Sequence, residues 1–137
     1  MIVGFDKDSR NINTALTHIT NAELQNKIHL ECRDISDASP ALSWKPGLVI
    51  CNPPYGERLG EVTELAAFYP RLGDALKRTY AGWDCWFFSA DVALPKLIGL
   101  AVKRRIPLFN GPLECRLYHF PMVAGGNRQQ RAGDPPA

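Results

Sequence analysis

The sequence predicts an α/β fold: a mostly parallel sheet with helices on both faces and an antiparallel hairpin at the carboxyl end. Three observations lead there. Short apolar runs rich in β-branched residues alternate with segments of helical periodicity. Successive runs stop at Asp6, Asp34, Asn52 and just before Asp91, at the carboxyl ends of strands, where open α/β sheets bind their ligands. The last two runs are separated only by Gly111-Pro112, a hairpin signal.

The elements follow in order. Residues 1–6 form a short apolar run closing on an acid, the pattern of a buried parallel strand. Residues 8–24 place Ile12, Ala15, Leu16 and Ile19 at helical spacing behind a cap at Asp8. Residues 28–34 alternate Ile28, Leu30 and Cys32 with His29, Glu31 and Arg33, which predicts a second strand. After a polar loop, residues 47–51 give a third strand that must stop at Asn52, because Pro53 and Pro54 have no N–H for a ladder. Residues 61–79 carry Leu65, Phe68, Tyr69, Leu72, Ala75 and Leu76 and predict a helix entered or interrupted at Pro70. Residues 83–90 are the most apolar strand, and 92–102 are expected to be helical with Pro95 in the first turn. Residues 106–110 and 114–123 make the hairpin. From Gly125 onward there is no apolar periodicity, so 125–137 reads as a flexible tail.

Composition narrows the function classes. The chain has 137 residues, 45% hydrophobic and 22% charged, which suits one globular domain rather than a disordered or fibrous chain. No apolar run approaches the roughly 20 residues of a membrane span, so no membrane partner and a cytoplasmic location are expected. The net charge is +2, with +4 held by residues 101–137, a modest basic end in which Lys103, Arg104 and Arg105 read as a solvated face. Cys32, Cys51, Cys85 and Cys115 form no C-x-x-C pair and have no histidine cluster beside them, so neither a metal site nor a disulfide framework is expected. Each reads as a buried thiol in a strand.

Asn52-Pro53-Pro54-Tyr55 is the motif that carries chemistry. An exocyclic amine on a nucleobase is a poor nucleophile because its lone pair is delocalised into the ring. The Asn52 side-chain carbonyl and the Pro53 backbone carbonyl can accept its two N–H groups and turn the lone pair toward an electrophilic methyl. Two prolines hold that geometry stiffly. Tyr55 can stack on an extruded base, a contact worth about 1–3 kcal/mol.

The longer run Asn52-Pro53-Pro54-Tyr55-Gly56-Glu57-Arg58-Leu59 resembles the S-adenosylmethionine-dependent 23S rRNA guanine-N2 methyltransferases of the RNA methylase family. Gly82-Trp83 ahead of the apolar strand ending Phe88-Ser89-Ala90, and Asn110-Gly111-Pro112-Leu113-Glu114-Cys115, are similar to the same family. The resemblance extends over about residues 1 to 120. It implies a Rossmann-like methyltransferase fold, with 1–124 as a partial methyltransferase domain, S-adenosyl-L-methionine as cofactor and 23S rRNA as the partner of the parent enzyme. Asn52, Pro53, Pro54 and Tyr55 become the catalytic candidates. Asp6 corresponds to the acid that contacts the cofactor ribose and Asp34 to the acid near the adenine amine, with Phe5 and Ile35 beside them to sandwich the adenine.

By the same resemblance, the family's first strand and its glycine-rich loop precede residue 1. The missing strand belongs between those ending at Asp6 and Asn52, so exposed strand edges and a homo-oligomer are expected, and cofactor retention by this chain alone is not. Two further readings stay open. One is a catalytically incompetent fragment or oligomerising module. The other is an adenine-N6 or protein glutamine-N5 methyltransferase, since Asn-Pro-Pro-Tyr suits any planar amine or amide nitrogen.

Overall fold

A βαβ unit opens the chain. In the computed structural model, which describes residues 1–54 and 59–123, β1 (Ile2–Asp6) and β2 (Ile28–Cys32) pair in parallel and are joined by α1 (Ser9–Asn21). Asp8 caps α1 from an extended backbone, and its carboxylate accepts the Arg10 N–H at 2.9 Å. Ile19 is the buried anchor of the helix, with Ala15 and Ile12 half-buried one and two turns before it. The chain then turns through Glu23 at φ 58, and Ile2 N–H reaches Lys27 O to start the strand pair.

Residues from Pro40 onward form a second compact unit. It contains β3 (Leu48–Cys51), α2 (Leu59–Thr79), β4 (Asp84–Ser89), α3 (Leu94–Leu97), β5 (Arg104–Asn110) and β6 (Leu113–Pro121). The sheet order is β3-β4-β6-β5. β3 and β4 are parallel, whereas β6 runs antiparallel to both β4 and β5.

Alternation sorts this sheet into two faces. Cys85, Phe87 and Ser89 of β4 and Tyr118 and Phe120 of β6 share one face and are all buried. Leu65, Tyr69, Leu72, Ala75 and Leu76 form the buried stripe of α2 at helical spacing, and the Tyr69 hydroxyl reaches Ser89, which places α2 over that face. The other face carries Leu48 and Ile50, 62% and 71% exposed, opposite Asp84 and Trp86 respectively.

Several elements differ from the sequence expectation. α2 runs straight through Pro70, because Pro70 and Ala66 are both exposed and water can satisfy the carbonyl the proline leaves unpaired. The helix expected over 92–102 is the single turn α3: Pro95 sits at its start and Gly99, at φ 67, ends it. A Cβ at Gly73 would run into the Ile98 backbone carbonyl, so glycine there lets α2 and α3 meet. The mostly parallel sheet is observed as a parallel pair plus a mixed four-stranded sheet, since β6 lies between β4 and β5 and is antiparallel to each. Cys32 is exposed rather than buried, its thiol 3.6 Å from Lys7 O. Cys51 is partly buried, and Cys85 and Cys115 are buried as expected. The expected tail at 125–137, and Tyr55, lie outside the described residues. No described helix is long and apolar enough to cross a membrane.

Candidate functional site

The strand ends carry the candidate residues, and each unit holds its own set. In the βαβ unit Asp6 closes β1 half-buried. Its Oδ1 accepts the Asp8 N–H at 2.8 Å and its Oδ2 accepts from Asn11 Nδ2 at 3.1 Å. Those bonds fix the carboxylate at the entry to α1, and each oxygen keeps a second lone pair for a hydroxyl. Asp34, two residues past β2, accepts at Oδ1 from the Ser36 N–H at 2.8 Å and from Ser36 Oγ at 2.6 Å, a local turn that aims the acid. Phe5 and Ile35 are half-buried beside these acids. The four residues therefore gather at the carboxyl end of one parallel pair, tied by the Arg33 N–H donating to Asp6 O at 2.9 Å.

In the second unit β3 ends at Cys51 and the chain leaves through Asn52, Pro53 and Pro54. Pro53 is buried, while Asn52 and Pro54 are exposed. The stiff dipeptide is packed on its first ring and presents the asparagine to solvent. Burial pushes the Cys51 thiol up to about 11, which makes it a packing residue rather than a nucleophile.

Sequence reasoning missed the support beneath this turn. Tyr69, fully buried in α2, donates its hydroxyl to Pro54 O at 3.2 Å and also engages Ser89 and Asp91 at the carboxyl end of β4. Its phenol is pushed up to about 12, first by burial and then by the nearby Asp91 carboxylate. Asp91 is itself ordered: its N–H donates to Ser89 Oγ at 3.0 Å, its Oδ1 accepts the Ala93 N–H at 2.8 Å, and its backbone carbonyl accepts from Tyr118 Oη at 3.4 Å. In the sequence Tyr69 is one more apolar position of a helical stripe, and nothing in that pattern signals a hydroxyl contact.

The second site expectation missed lies at the other end of β4. His119 Nε2 lies 2.6 Å from Asp84 Oδ1, and the ring stacks on Trp86 with centroids 4.1 Å apart. This pair is remote along β4 from the Asn52 turn. Among the described residues no group of His, Cys, Asp and Glu is arranged to hold a metal ion.

Comparison with known proteins adds the family. The model of the family described as RMKL-like, methyltransferase domain, matches residues 1–119. A relative named ribosomal RNA large subunit methyltransferase K/L from Allochromatium vinosum is 44% identical over 117 residues, covering 85% of this chain and 16% of its own length. One with the same name from Methylococcus capsulatus is 40% identical, covering 98% of this chain and 18% of its own length. The chain thus spans less than a fifth of these curated relatives. Among solved structures, SMU.472, classed as a methyltransferase and in complex with SAH, superposes with TM-score 0.81 at 26% identity over 90% of this chain and 32% of its own. A protein described as a possible methylase from Clostridium difficile 630 gives TM-score 0.81 at 24% identity over 93% of this chain and 33% of its own, a likeness of fold.

Proposed function

The chain belongs to the RMKL-like methyltransferase-domain family, and on that premise we propose that the protein carrying it transfers a methyl group from S-adenosyl-L-methionine to the exocyclic N2 amine of a guanine in 23S rRNA. The observation that carries this reading is the turn at the end of β3, where a buried Pro53 and an exposed Asn52 offer two carbonyls on a stiff support.

The residues fit the cofactor. Asp6 and Asp34 are two carboxylates at the carboxyl end of one parallel pair, both oriented by local hydrogen bonds. Asp6 suits a vicinal diol such as a ribose, and Asp34 an amino group such as that of adenine, with Phe5 and Ile35 as apolar walls. When bound, the cofactor supplies an electrophilic methyl carried on a sulfonium.

The chain's own part is positioning. The Asn52 side-chain carbonyl and the Pro53 backbone carbonyl accept the two amine N–H groups. This localises the nitrogen lone pair and aims it away from the base plane. No strong base is required, because the nitrogen sheds its extra proton readily once it has gained the methyl group. Tyr55 supplies a stacking face for the base. Such alignment is worth several powers of ten in rate.

The test is transfer of labelled methyl to unmodified 23S rRNA by the protein carrying this sequence. Asn52→Ala is expected to lower the rate by about 100-fold or more while leaving S-adenosylhomocysteine affinity unchanged. A retained rate would overturn the carbonyl argument. Methylation of a release-factor glutamine or an adenine amine in place of 23S rRNA would overturn the substrate. For the chain by itself, calorimetric titration with S-adenosylhomocysteine separates a cofactor-binding module from an incompetent fragment.

A further inference from the structure

We propose that Tyr69 is a positioning residue for methyl transfer: its buried hydroxyl ties the Pro54 carbonyl to the Ser89–Asp91 end of β4 and thereby sets the direction of the Asn52 and Pro53 carbonyls. The proposal rests on the reading of Asn52-Pro53-Pro54 as the amine-binding turn, and it names a residue outside that motif.

Three features of the geometry lead to it. First, the turn has few ways to hold itself. Pro53 and Pro54 contribute no N–H, so neither residue can be pinned by a donor of its own, and their carbonyls are the backbone handles left. The Tyr69 hydroxyl takes one of them, at 3.2 Å, leaving the adjacent Pro53 carbonyl for the substrate. Second, the hydroxyl is anchored. Tyr69 is fully buried on α2, and its ring lies 6.0 Å from Phe68, so the oxygen has little room to wander. Third, the hydroxyl has a single proton, which goes to Pro54 O, and Ser89 and the Asp91 carboxylate lie close to the same oxygen. The phenol therefore stands between the turn after β3 and the loop after β4. Asp91 is in turn fixed by Ser89, Ala93 and Tyr118. A carbonyl anchored in this way moves less than one facing water. A displacement near 1 Å in such a site is enough to cost about 100-fold in rate.

Tyr69→Phe keeps the ring and removes only the hydroxyl. The chain labelled with carbon-13 at the proline carbonyls gives a direct reading: the Pro54 carbonyl resonance is expected to move on Tyr69→Phe, and the Asn52 side-chain amide resonances with it, while far-UV circular dichroism stays the same. Tyr80→Phe, at the far end of α2, should move neither. In the protein carrying this sequence, Tyr69→Phe is expected to lower kcat for rRNA methylation about 10- to 100-fold with KM for RNA unchanged. Asp91→Asn should reproduce part of that loss. Unmoved Pro54 and Asn52 resonances, or an unaltered kcat, would overturn the role of Tyr69. If the unsubstituted protein methylates no guanine amine, the functional reading fails separately, and the carbonyl resonances still decide whether Tyr69 sets the turn.

Discussion

His119 and Asp84 meet across the β4–β6 pair, Nε2 to Oδ1 at 2.6 Å, although they lie 35 residues apart in the sequence. A carboxylate can only accept, so the ring carries its proton on Nε2, and Nδ1 is left buried without a partner among the described residues. Trp86, opposite His119 in the register, covers the imidazole face with an interplanar angle of 6°.

Asp84→Ala is therefore expected to destabilise the second unit, by about 1 kcal/mol, because the half-exposed carboxylate is replaced in part by water. His119→Ala should cost more, roughly 2–4 kcal/mol, since a buried ring against Trp86 is lost. His119→Phe should fall below His119→Ala, because it keeps the stack and removes the unpartnered nitrogen. Urea midpoints of the three variants give the order.

Gly73→Ala raises intrinsic helix propensity by about 1 kcal/mol yet is expected to be net destabilising. Its Cβ would collide with the Ile98 backbone, and backbone cannot swing aside as a side chain can. Thermal unfolding should show a lower midpoint than the parent; a higher one would mean that α3 shifts freely.

Alkaline pH should unfold the second unit early. Burial raises Cys51 to about 11, Cys85 to about 12 and Tyr69 to about 12. In the unfolded chain thiols titrate near 8.5 and tyrosine near 10. The unfolded state thus loses protons first. The stability these groups contribute is whole below the unfolded values and drains away as pH rises to the folded ones. Denaturant midpoints from neutral to strongly alkaline pH should decline across that window, less steeply for Cys85→Ala.

Thiol labelling in the native state should find Cys32 first, as it is the exposed cysteine, with Cys85 and Cys115 reacting on the timescale of unfolding. Mass spectrometry of partially labelled protein reads this order directly.

Self-association through strand edges remains a proposal that one variant can examine. Among the described residues β3 is an end strand of the four-stranded sheet, and Leu48 and Ile50 project from it largely exposed. Ile50→Lys should reduce any concentration-dependent rise in sedimentation coefficient. A parent that sediments as a monomer at all concentrations would remove the oligomer.

Much of this fold was legible because it rests on local signals. Alternation, the double proline after Cys51 and Gly111-Pro112 mark strand ends, and a cap at Asp8 marks a helix start. The length of α3 was not legible, since the turn ends through the left-handed backbone of Gly99 and not through any polar stretch. The exposure of Cys32 was hidden because alternation says which side a residue faces and not whether that side is covered. The candidate acids and Asn52 were read from their positions after strands. Tyr69 and the His119–Asp84 pair could not be, because both depend on which residues the crossover and the antiparallel register bring together.

The hairpin turn also bears on the order of folding. β5 and β6 need only Gly111, at φ 58, and Pro112 to meet, so their pairing closes a very short loop. β3 finds β4 only after the whole of α2 has crossed over. The chain should therefore pass through a stage in which the hairpin is formed and the Asn52 turn has no floor. The support beneath the Asn52 turn would be the last feature acquired on folding, and mutations that slow the α2 crossover would delay it without touching the hairpin.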